Sequence, residues 1–475
     1  MNTQQSKTDP VYYQDATRLA ELIRNREISP VEVVKAHLDR IEAVNAKVNA
    51  IVTISDTALN AARAAEAAVL RGDALGPLHG VPFTAKDSID TAKLLTQRGS
   101  PIFKGRTPDT DATTVARLKN AGGILIGKTN LPEFSYWIES NNLLSGRTNN
   151  PWDLQLSPGG SSGGESAAVA AGMSPLGLGT DLAISVRGHA ALTGIVALKA
   201  THGSIPMTGI WPRAPRRFWH VGPMARTIRD LQLAYSVLAG PDGQDGFSSS
   251  TLHVDAGIGN ITNKKLRIGW LVEPGLGPID PEIGIAVAAA ADALKQLGHS
   301  VEQVRIPVLE EEFALDYYVK LHMMEMKPAM RAAIAGQPDE LVFKYVNAVL
   351  AYAETTFEDY IAAEQSAERL RDGFAAYFQQ YDALITPVLP VISHGHDIET
   401  IEPKGQKESI FLLQSATVPL NITGLPGVSV RFGTSKTGLP INVQVVGSWL
   451  AESTILHIAS QLEATSTDTV LYPSI

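Results

Sequence analysis

Apolar positions along the chain group into segments of two lengths, and these predict alternating helices and strands. Long segments that mix apolar and polar residues predict helices near the N-terminus, at residues 16–26, 30–45 and 57–70. Ser29, Pro30 and Glu32 supply an N-cap, a first-turn proline and the acidic partner of a capping box, so the second helix has a defined start. Short apolar runs predict strands at residues 124–126, 266–271, 383–385, 427–432 and 441–446.

Strands scattered between helices predict an α/β fold, in which a central mixed sheet is covered by helices on both faces. The 475 residues contain no segment that resembles a linker, so we expect one domain over residues 1–475. Residues 1–12 are polar and predict a flexible N-terminus. Residues 310–381 are helical in character, and we expect them to cover a substrate site as a lid or wall.

Composition and charge exclude several functional classes. With 40 basic and 49 acidic residues the net charge is −9, which offers no general attraction to nucleic acid. Arg213, Arg216 and Arg217 form a short basic run that we interpret as a solvated loop. No long apolar segment predicts a signal peptide or membrane span, so a cytoplasmic protein is expected. The chain has no cysteine, which excludes a thiol nucleophile and disulfides.

Two serine-containing segments carry the candidate chemistry. Ser161 lies in a run of glycines, residues 159–164, and Ser185 follows within residues 181–187. A serine becomes a good nucleophile only when a base takes its proton and when backbone N–H groups face the developing oxyanion. Lys86 ends an apolar, strand-like run, and burial there would lower its pKa and free its amine as the base. The alternative for Lys86 is an ion pair with Asp87.

A second glycine-containing segment matches a nucleotide-binding expression by coincidence. Residues 122–129 satisfy the P-loop pattern literally. A P-loop follows a strand and precedes a helix, whereas here residues 113–120 predict a helix and residues 124–126 the strand itself. Strand residues cannot wrap a phosphate with their N–H groups, so we reject an ATPase function.

The chain resembles the amidase signature family of serine hydrolases in blocks spread over most of its length. These blocks are residues 80–87, 127–134, 150–153, 158–164, 179–187, 222–226 and 421–426. The resemblance implies an α/β/α core and a Ser–cis-Ser–Lys triad, with Ser185 as nucleophile, Ser161 as bridging serine and Lys86 as base. It also implies an oxyanion hole formed by the backbone N–H groups of Leu182, Ala183, Ile184 and Ser185.

Three features of the sequence depart from the pattern of that family. Ile184 stands where a glycine is usual, and a β-branched residue cannot easily adopt glycine-only dihedral angles. His189 replaces a usual proline, but it belongs to no carboxylate pattern, so we reject a Ser–His system. Trp219 and His220 lie where many relatives carry an aspartate. The Ala-Ile-Ser sequence at 183–185 resembles the urethanase subgroup, whose members cleave small carbamates.

Together these features predict a serine amidohydrolase that cleaves C–N bonds of carbamates and amides without a cofactor or metal. Its partner is a small amide, ester or carbamate, and the protein is expected to be a monomer or homodimer that binds neither nucleic acid nor membrane. Two alternatives stay open: a glutamine-hydrolysing subunit of an amidotransferase, and a catalytically inactive binding relative. Candidate substrate-binding side chains are Tyr136, Trp211, Trp219, Tyr318 and Met324.

Overall fold

The computed structural model describes residues 9–248, 264–467 and 472–475. The three N-terminal helix predictions are confirmed as α1 (Ala16–Arg24), α2 (Pro30–Val48) and α3 (Ala58–Arg71). The capping box of α2 is present: Ser29 Oγ accepts from Glu32 N at 3.1 Å, and Ser29 N donates to Glu32 Oε2 at 2.8 Å. Of the segment 1–12 predicted to be flexible, residues 1–8 lie outside the described residues, and Val11–Tyr13 is a short 3₁₀ helix.

An 11-stranded mixed sheet forms the centre of the molecule. Its strands are β1 (Ile51–Ile54), β2 (Pro82–Lys86), β3 (Ile124–Thr129), β4 (Leu176–Asp181), β5 (Val196–Lys199), β6 (His220–Ala225), β7 (Arg267–Trp270), β8 (Ser300–Gln303), β9 (Ala383–Pro387), β12 (Gly427–Thr434) and β13 (Pro440–Gly447). A separate two-stranded sheet pairs β10 (Thr400–Ile401) with β11 (Glu408–Ser409). The order across the main sheet is β1-β3-β2-β4-β6-β5-β12-β13-β9-β7-β8.

Helices flank this sheet on both faces, as the sequence predicts. The remaining helices are α4 (Thr113–Asn120), α5 (Gly163–Ala170), α6 (Arg187–Thr193), α7 (Ile228–Leu238), α8 (Pro281–Gln296), α9 (Pro307–Glu311), α10 (Ala314–Ile334), α11 (Lys344–Ala351), α12 (Phe357–Phe378), α13 (Val418–Thr423) and α14 (Glu452–Thr465). The segment 310–381 is helical, with α10 and α12 packed against each other. Within the described part of the chain, no helix is both long and apolar enough to cross a bilayer.

Most of the segment 122–129, which matches the P-loop pattern, forms strand β3 (Ile124–Thr129). Lys128 lies inside that strand with no exposed surface. Its Nζ donates to the carbonyl oxygen of Ile89 and, at 3.1 Å, to Thr96 Oγ1. A lysine held this way inside a strand cannot reach a phosphate, so rejecting the nucleotide-binding interpretation is correct.

Parallel pairing of two strands determines where the candidate chemistry lies. β2 and β4 run parallel, with Ala85 opposite Leu178. Their carboxyl ends therefore meet at the same edge of the sheet, which brings Lys86 next to Thr180. The loop that leaves β4 carries Ser185, so all elements of the predicted site start from this edge.

Candidate active site

Lys86 is the last residue of β2, and its side chain has no exposed surface. Its Nζ lies 2.6 Å from Ser161 Oγ and 2.9 Å from Thr180 Oγ1. The alternative ion pair with Asp87 does not form: the Asp87 carboxylate lies 3.9 Å from Lys128 Nζ instead. Consecutive residues of an extended chain point to opposite sides, so the two neighbours face different surroundings. Among the described residues, Lys86 Nζ hydrogen-bonds to the hydroxyl groups of Ser161 and Thr180 and to no carboxylate.

Burial governs the charge of this lysine. Removal of the amine from water lowers the pKa of Lys86 well below its ordinary value of 10.5, and the more distant Asp181 and Glu165 oppose this only in part. Glu165 itself holds its proton unusually well, because burial raises its pKa to about 7 despite hydrogen bonds from Thr84 and Thr129. The site therefore favours an uncharged amine, which can accept a proton.

Ser161 belongs to a tight loop that precedes α5, and its peptide bond to Gly160 is cis. The loop needs glycine at two positions. Gly159 has φ +83°, a left-handed conformation, and a Cβ on Gly160 would collide with the backbone of Glu139. Gly163 and Gly164 lie outside this turn and begin α5 instead. The N–H of Gly163 donates to Ser140 Oγ at 3.0 Å, so this helix end does not offer that group to a substrate.

Ser185 lies on the other side of Ser161. The backbone N–H of Ser161 donates to Ser185 Oγ at 3.0 Å, and Ser185 Oγ lies 3.4 Å from the carbonyl oxygen of Gly160. Ser185 is 6% exposed, whereas Ser161 and Lys86 are fully buried, so Ser185 is the member of the three that a substrate can reach. The structure thus brings the three predicted residues together in the order Lys86, Ser161, Ser185.

A buried ion pair braces the loop that carries Ser185. Arg187 NH2 lies 3.1 Å from Asp181 Oδ1, and the same guanidinium donates to Asn421 Oδ1 at 2.6 Å and to the carbonyl oxygen of Ala183 at 3.2 Å. Burial alone would raise the pKa of Asp181, but Arg187 and Asn421 outweigh it and leave the pKa at about 2. A buried ion pair therefore joins Asp181, the last residue of β4, to Arg187, the first residue of α6, and so holds the two ends of the loop together.

Between Asp181 and Arg187, the loop has four backbone N–H groups for which the described residues provide no acceptor. Asp181 Oδ2 accepts from Val186 N at 3.1 Å, but within the described residues the N–H groups of Leu182, Ala183, Ile184 and Ser185 donate to no protein acceptor. Ile184 is not among the described residues with positive φ, so its backbone suits a β-branched side chain. Replacement of glycine at this position therefore does not by itself strain the loop.

His189 is buried beside Gly159, whose added Cβ would collide with the imidazole ring. Burial lowers its pKa to about 3, which keeps the ring neutral. No carboxylate hydrogen-bonds to it in the described part of the chain, in agreement with the rejection of a Ser–His system.

The five aromatic and methionine candidates occupy different environments. Tyr318, on α10, is buried and donates from its hydroxyl to the carbonyl oxygen of Leu182 at 2.9 Å, so it contacts the loop of Ser185 directly. Tyr136 and Trp211 line a cavity of about 600 Å³. Trp219 is buried beside Tyr136 and donates to the carbonyl oxygen of Ala214 at 3.3 Å. Met324 is 38% exposed and, like Tyr318 and Trp219, is not part of the cavity lining.

Sequence reasoning missed the residues that position the three reacting groups. Thr180 contacts Lys86, and Asp181, Arg187 and Asn421 hold the loop of Ser185. All four lie within the blocks that carry the family resemblance, at residues 179–187 and 421–426. That signal marked the segments, but pairing of Asn421 with Asp181 over 240 positions is visible only in the fold.

We expect Tyr318→Phe to lower kcat/KM by about tenfold, because the Leu182 carbonyl loses its donor and the loop of Ser185 is held less firmly. The free energy of unfolding should fall by about 1 kcal/mol, the usual net contribution of one hydrogen bond. Tyr317→Phe is the matched control, since the Tyr317 hydroxyl has no hydrogen-bond partner among the described residues. Steady-state kinetics and chemical denaturation of both variants test this, and equal kinetics for the two would refute the role of Tyr318.

Comparisons with known proteins identify the family. A family model described as Amidase matches residues 32–456. A glutamyl-tRNA(Gln) amidotransferase subunit from Acidothermus cellulolyticus is 35% identical, over 94% of this chain and 94% of that protein. Among solved structures, 6-aminohexanoate cyclic dimer hydrolase superposes with a TM-score of 0.87 at 30% identity, over 98% of this chain and 99% of the other. A bacterial aryl acylamidase of the amidase signature family gives a TM-score of 0.85 at 26% identity, over 96% and 97% of the two chains.

The chain therefore belongs to the amidase family. It is an amidase-signature amidohydrolase, a hydrolase that acts on carbon–nitrogen bonds.

Proposed function

We propose that the protein hydrolyses small amides and carbamates through a covalent intermediate on Ser185, with Ser161 as proton relay and Lys86 as base. One observation carries the proposal. An amine with a strongly lowered pKa lies 2.6 Å from Ser161 Oγ, and Ser161 donates its backbone N–H to Ser185 Oγ at 3.0 Å. The amine thus contacts the hydroxyl of Ser161, and the backbone of the same residue holds the hydroxyl of Ser185, which supports a base, a relay and a nucleophile that act together in acyl transfer.

In the first half of the reaction, Ser185 Oγ attacks the substrate carbonyl carbon while its proton passes to Ser161 and the Ser161 proton to Lys86. The carbonyl oxygen becomes an oxyanion, which the free N–H groups of residues 182–185 stabilise. The C–N bond then breaks, and the leaving amine takes a proton back along the same route. An acyl group remains on Ser185, or an alkoxycarbonyl group when the substrate is a carbamate.

In the second half, a water molecule attacks the acyl carbon. Its proton passes through Ser161 to Lys86, and Ser185 leaves with a proton returned from the same pair. An amide yields a carboxylic acid and an amine. A carbamate yields an amine and a carbonic half-ester, which loses carbon dioxide to leave an alcohol. Lys86 ends each cycle uncharged, as it began.

Carbamates are included in the proposed substrate class because of the loop sequence Ala183-Ile184-Ser185, which resembles that of urethanases. Ile184 is buried, with its side chain against Gly188, and its backbone does not need glycine. The names of two structural relatives, a cyclic dimer hydrolase of 6-aminohexanoate and an aryl acylamidase, support amides as the related substrates.

A second candidate function is glutamine hydrolysis as part of an amidotransferase. It is favoured by the curated relatives at 33–36% identity, which are named as one of the subunits of glutamyl-tRNA(Gln) amidotransferase. The same nucleophile, relay and base would serve, with ammonia as the leaving group. This candidate requires partner subunits, whereas the first requires a self-sufficient hydrolase.

The experiment that separates the candidates is a substrate screen of the purified chain alone. Matched aryl carbamate, anilide, primary amide and glutamine are compared by kcat/KM, with Ser185→Ala measured in parallel to subtract background hydrolysis. We expect turnover of an aryl carbamate or anilide at least about tenfold above that of glutamine, which corresponds to a difference of about 1.4 kcal/mol in transition-state binding. Glutamine as the best substrate would favour the amidotransferase, and no turnover of any substrate would contradict the hydrolase.

A further inference from the structure

The lining of the cavity of about 600 Å³ does not include Lys86, Ser161 or Ser185. One wall is aromatic and includes Phe103, Phe134, Tyr136 and Trp211. A second part of the lining comes from the C-terminal half of α10 and consists of Met330 and alanines. Both walls are apolar, so the cavity suits the hydrocarbon part of a ligand.

A guanidinium forms the main polar feature of this apolar space. Arg98 contacts two neighbouring aromatic rings, with its Cζ 4.7 Å from the ring centroid of Phe103 and 4.7 Å from that of Trp211, and the two centroids lie 5.3 Å apart. Its backbone adopts φ +58°, and its carbonyl oxygen accepts from Phe134 N at 3.0 Å. The side chain therefore packs on the pair of rings formed by Phe103 and Trp211, and 11% of it is exposed.

The charge of Arg98 is poorly matched within the protein. Asp90 is its ion-pair contact, at 3.8 Å, but that carboxylate already accepts two hydrogen bonds from Arg106, at 2.7 and 2.8 Å. Arg98 Nε has no hydrogen-bond partner among the described residues. Burial together with the neighbouring charge of Arg106 lowers the pKa of Arg98 to about 10. A guanidinium in this state gains from any anion that can reach it.

The lining adds positive charge and no negative charge. Arg213 is exposed at the edge of the cavity, and no carboxylate belongs to the lining. The two neighbouring arginines of the basic run differ from it, since Arg216 pairs with Asp245 and Arg217 with Glu325 and Glu364. The interpretation of this run as a solvated loop thus holds for Arg213 alone.

We propose that this cavity is a binding site for a small aromatic carboxylate, whose carboxylate group is held by Arg98 and whose ring packs between Trp211 and Met330. The planar fork of a guanidinium matches the two oxygens of a carboxylate, and a ring fits a wall built of aromatic and thioether groups. The proposal concerns binding and does not depend on which residue is the nucleophile.

The test is isothermal titration calorimetry with 3-phenylpropionate and its neutral analogue 3-phenylpropanamide. All titrations use the full chain carrying Ser185→Ala, so that the amide is not consumed. We expect the carboxylate to bind about tenfold or more tightly than the amide, as charge-assisted hydrogen bonds to a desolvated guanidinium imply. Equal affinities, or no binding of the carboxylate, would overturn the proposal.

Two further variants locate the site. Arg98→Met should abolish the preference for the carboxylate, whereas Lys104→Met, which removes an exposed charge outside the lining, should preserve it. A preference that survives Arg98→Met would place the anion elsewhere, for example near Lys86, and would refute the site. Ala332→Trp fills the cavity from an exposed position on α10 and keeps the test decisive if Arg98→Met does not fold. It should abolish binding of the carboxylate, and undiminished binding would equally refute the site.

Discussion

Ser185→Ala is expected to lower kcat by a factor of about 10⁶, the order of magnitude found when the nucleophile of a serine hydrolase is removed. The reason is chemical, since the attacking hydroxyl is lost. The fold should persist, because the hydrogen bonds of Ser185 Oγ among the described residues are one of 3.0 Å from the backbone N–H of Ser161 and one of 3.4 Å to the carbonyl oxygen of Gly160. Steady-state kinetics and thermal unfolding of the purified variant measure both effects.

The control for this result is Ser166→Ala, which removes a buried serine hydroxyl from α5. Ser166 Oγ donates to the carbonyl oxygen of Gly163 at 3.1 Å and contacts none of the three reacting residues. Activity of this variant should stay within a few-fold of the wild type. Ser185→Ala that keeps activity within tenfold of wild type would remove Ser185 from the role of nucleophile.

Lys86→Arg is expected to reduce kcat nearly as far as Ser185→Ala, because residues that act as one catalytic unit fail together. Arginine has a similar length and supplies a positive charge, but its guanidinium stays protonated and cannot serve as a base. The substitution therefore separates a proton-accepting role from a purely electrostatic one. Activity within tenfold of wild type would show that Lys86 acts by charge alone or not at all.

The pH dependence of kcat/KM shows in which direction protonation of Lys86 changes the activity. Protonated Lys86 cannot accept a proton, so kcat/KM of the wild type should rise with pH to a plateau. The midpoint of this rise should lie below 10.5, the ordinary pKa of lysine. The midpoint belongs to the coupled pair of Lys86 and Ser161. Lys327→Met is the control variant: Lys327 is also a buried lysine, but its Nζ donates to the carbonyl oxygen of Tyr352 and it contacts none of the three reacting residues, so the midpoint should not move.

Local features of the fold could be predicted from the sequence where one short segment determines them. The capping box at Ser29, the helix at Thr113–Asn120 and the strand nature of residues 124–126 follow from neighbouring residues, and the structure confirms them. The contacts among Lys86, Ser161 and Ser185 were expected from family resemblance, since no periodicity links three residues that lie so far apart in the chain.

Features that depend on pairing across the fold could not be predicted in this way. Met324 was a candidate because methionine suits an apolar ligand, and the same reasoning applies to Met330. The packing of α10 decides that Met324 is exposed while Met330 lines the cavity. Arg98 shows no unusual pattern in the sequence. Its situation arises because Asp90, eight residues earlier, is engaged by Arg106.

The most direct test of the mechanism is the rate at which a fluorophosphonate labels the wild-type protein as a function of pH, with the adduct located by mass spectrometry. The account predicts a single adduct on Ser185, formed at a rate that rises with pH to a plateau with its midpoint below 10.5, and no adduct in Lys86→Arg. An adduct on another residue, or labelling of Ser185 at an equal rate in Lys86→Arg, would contradict it.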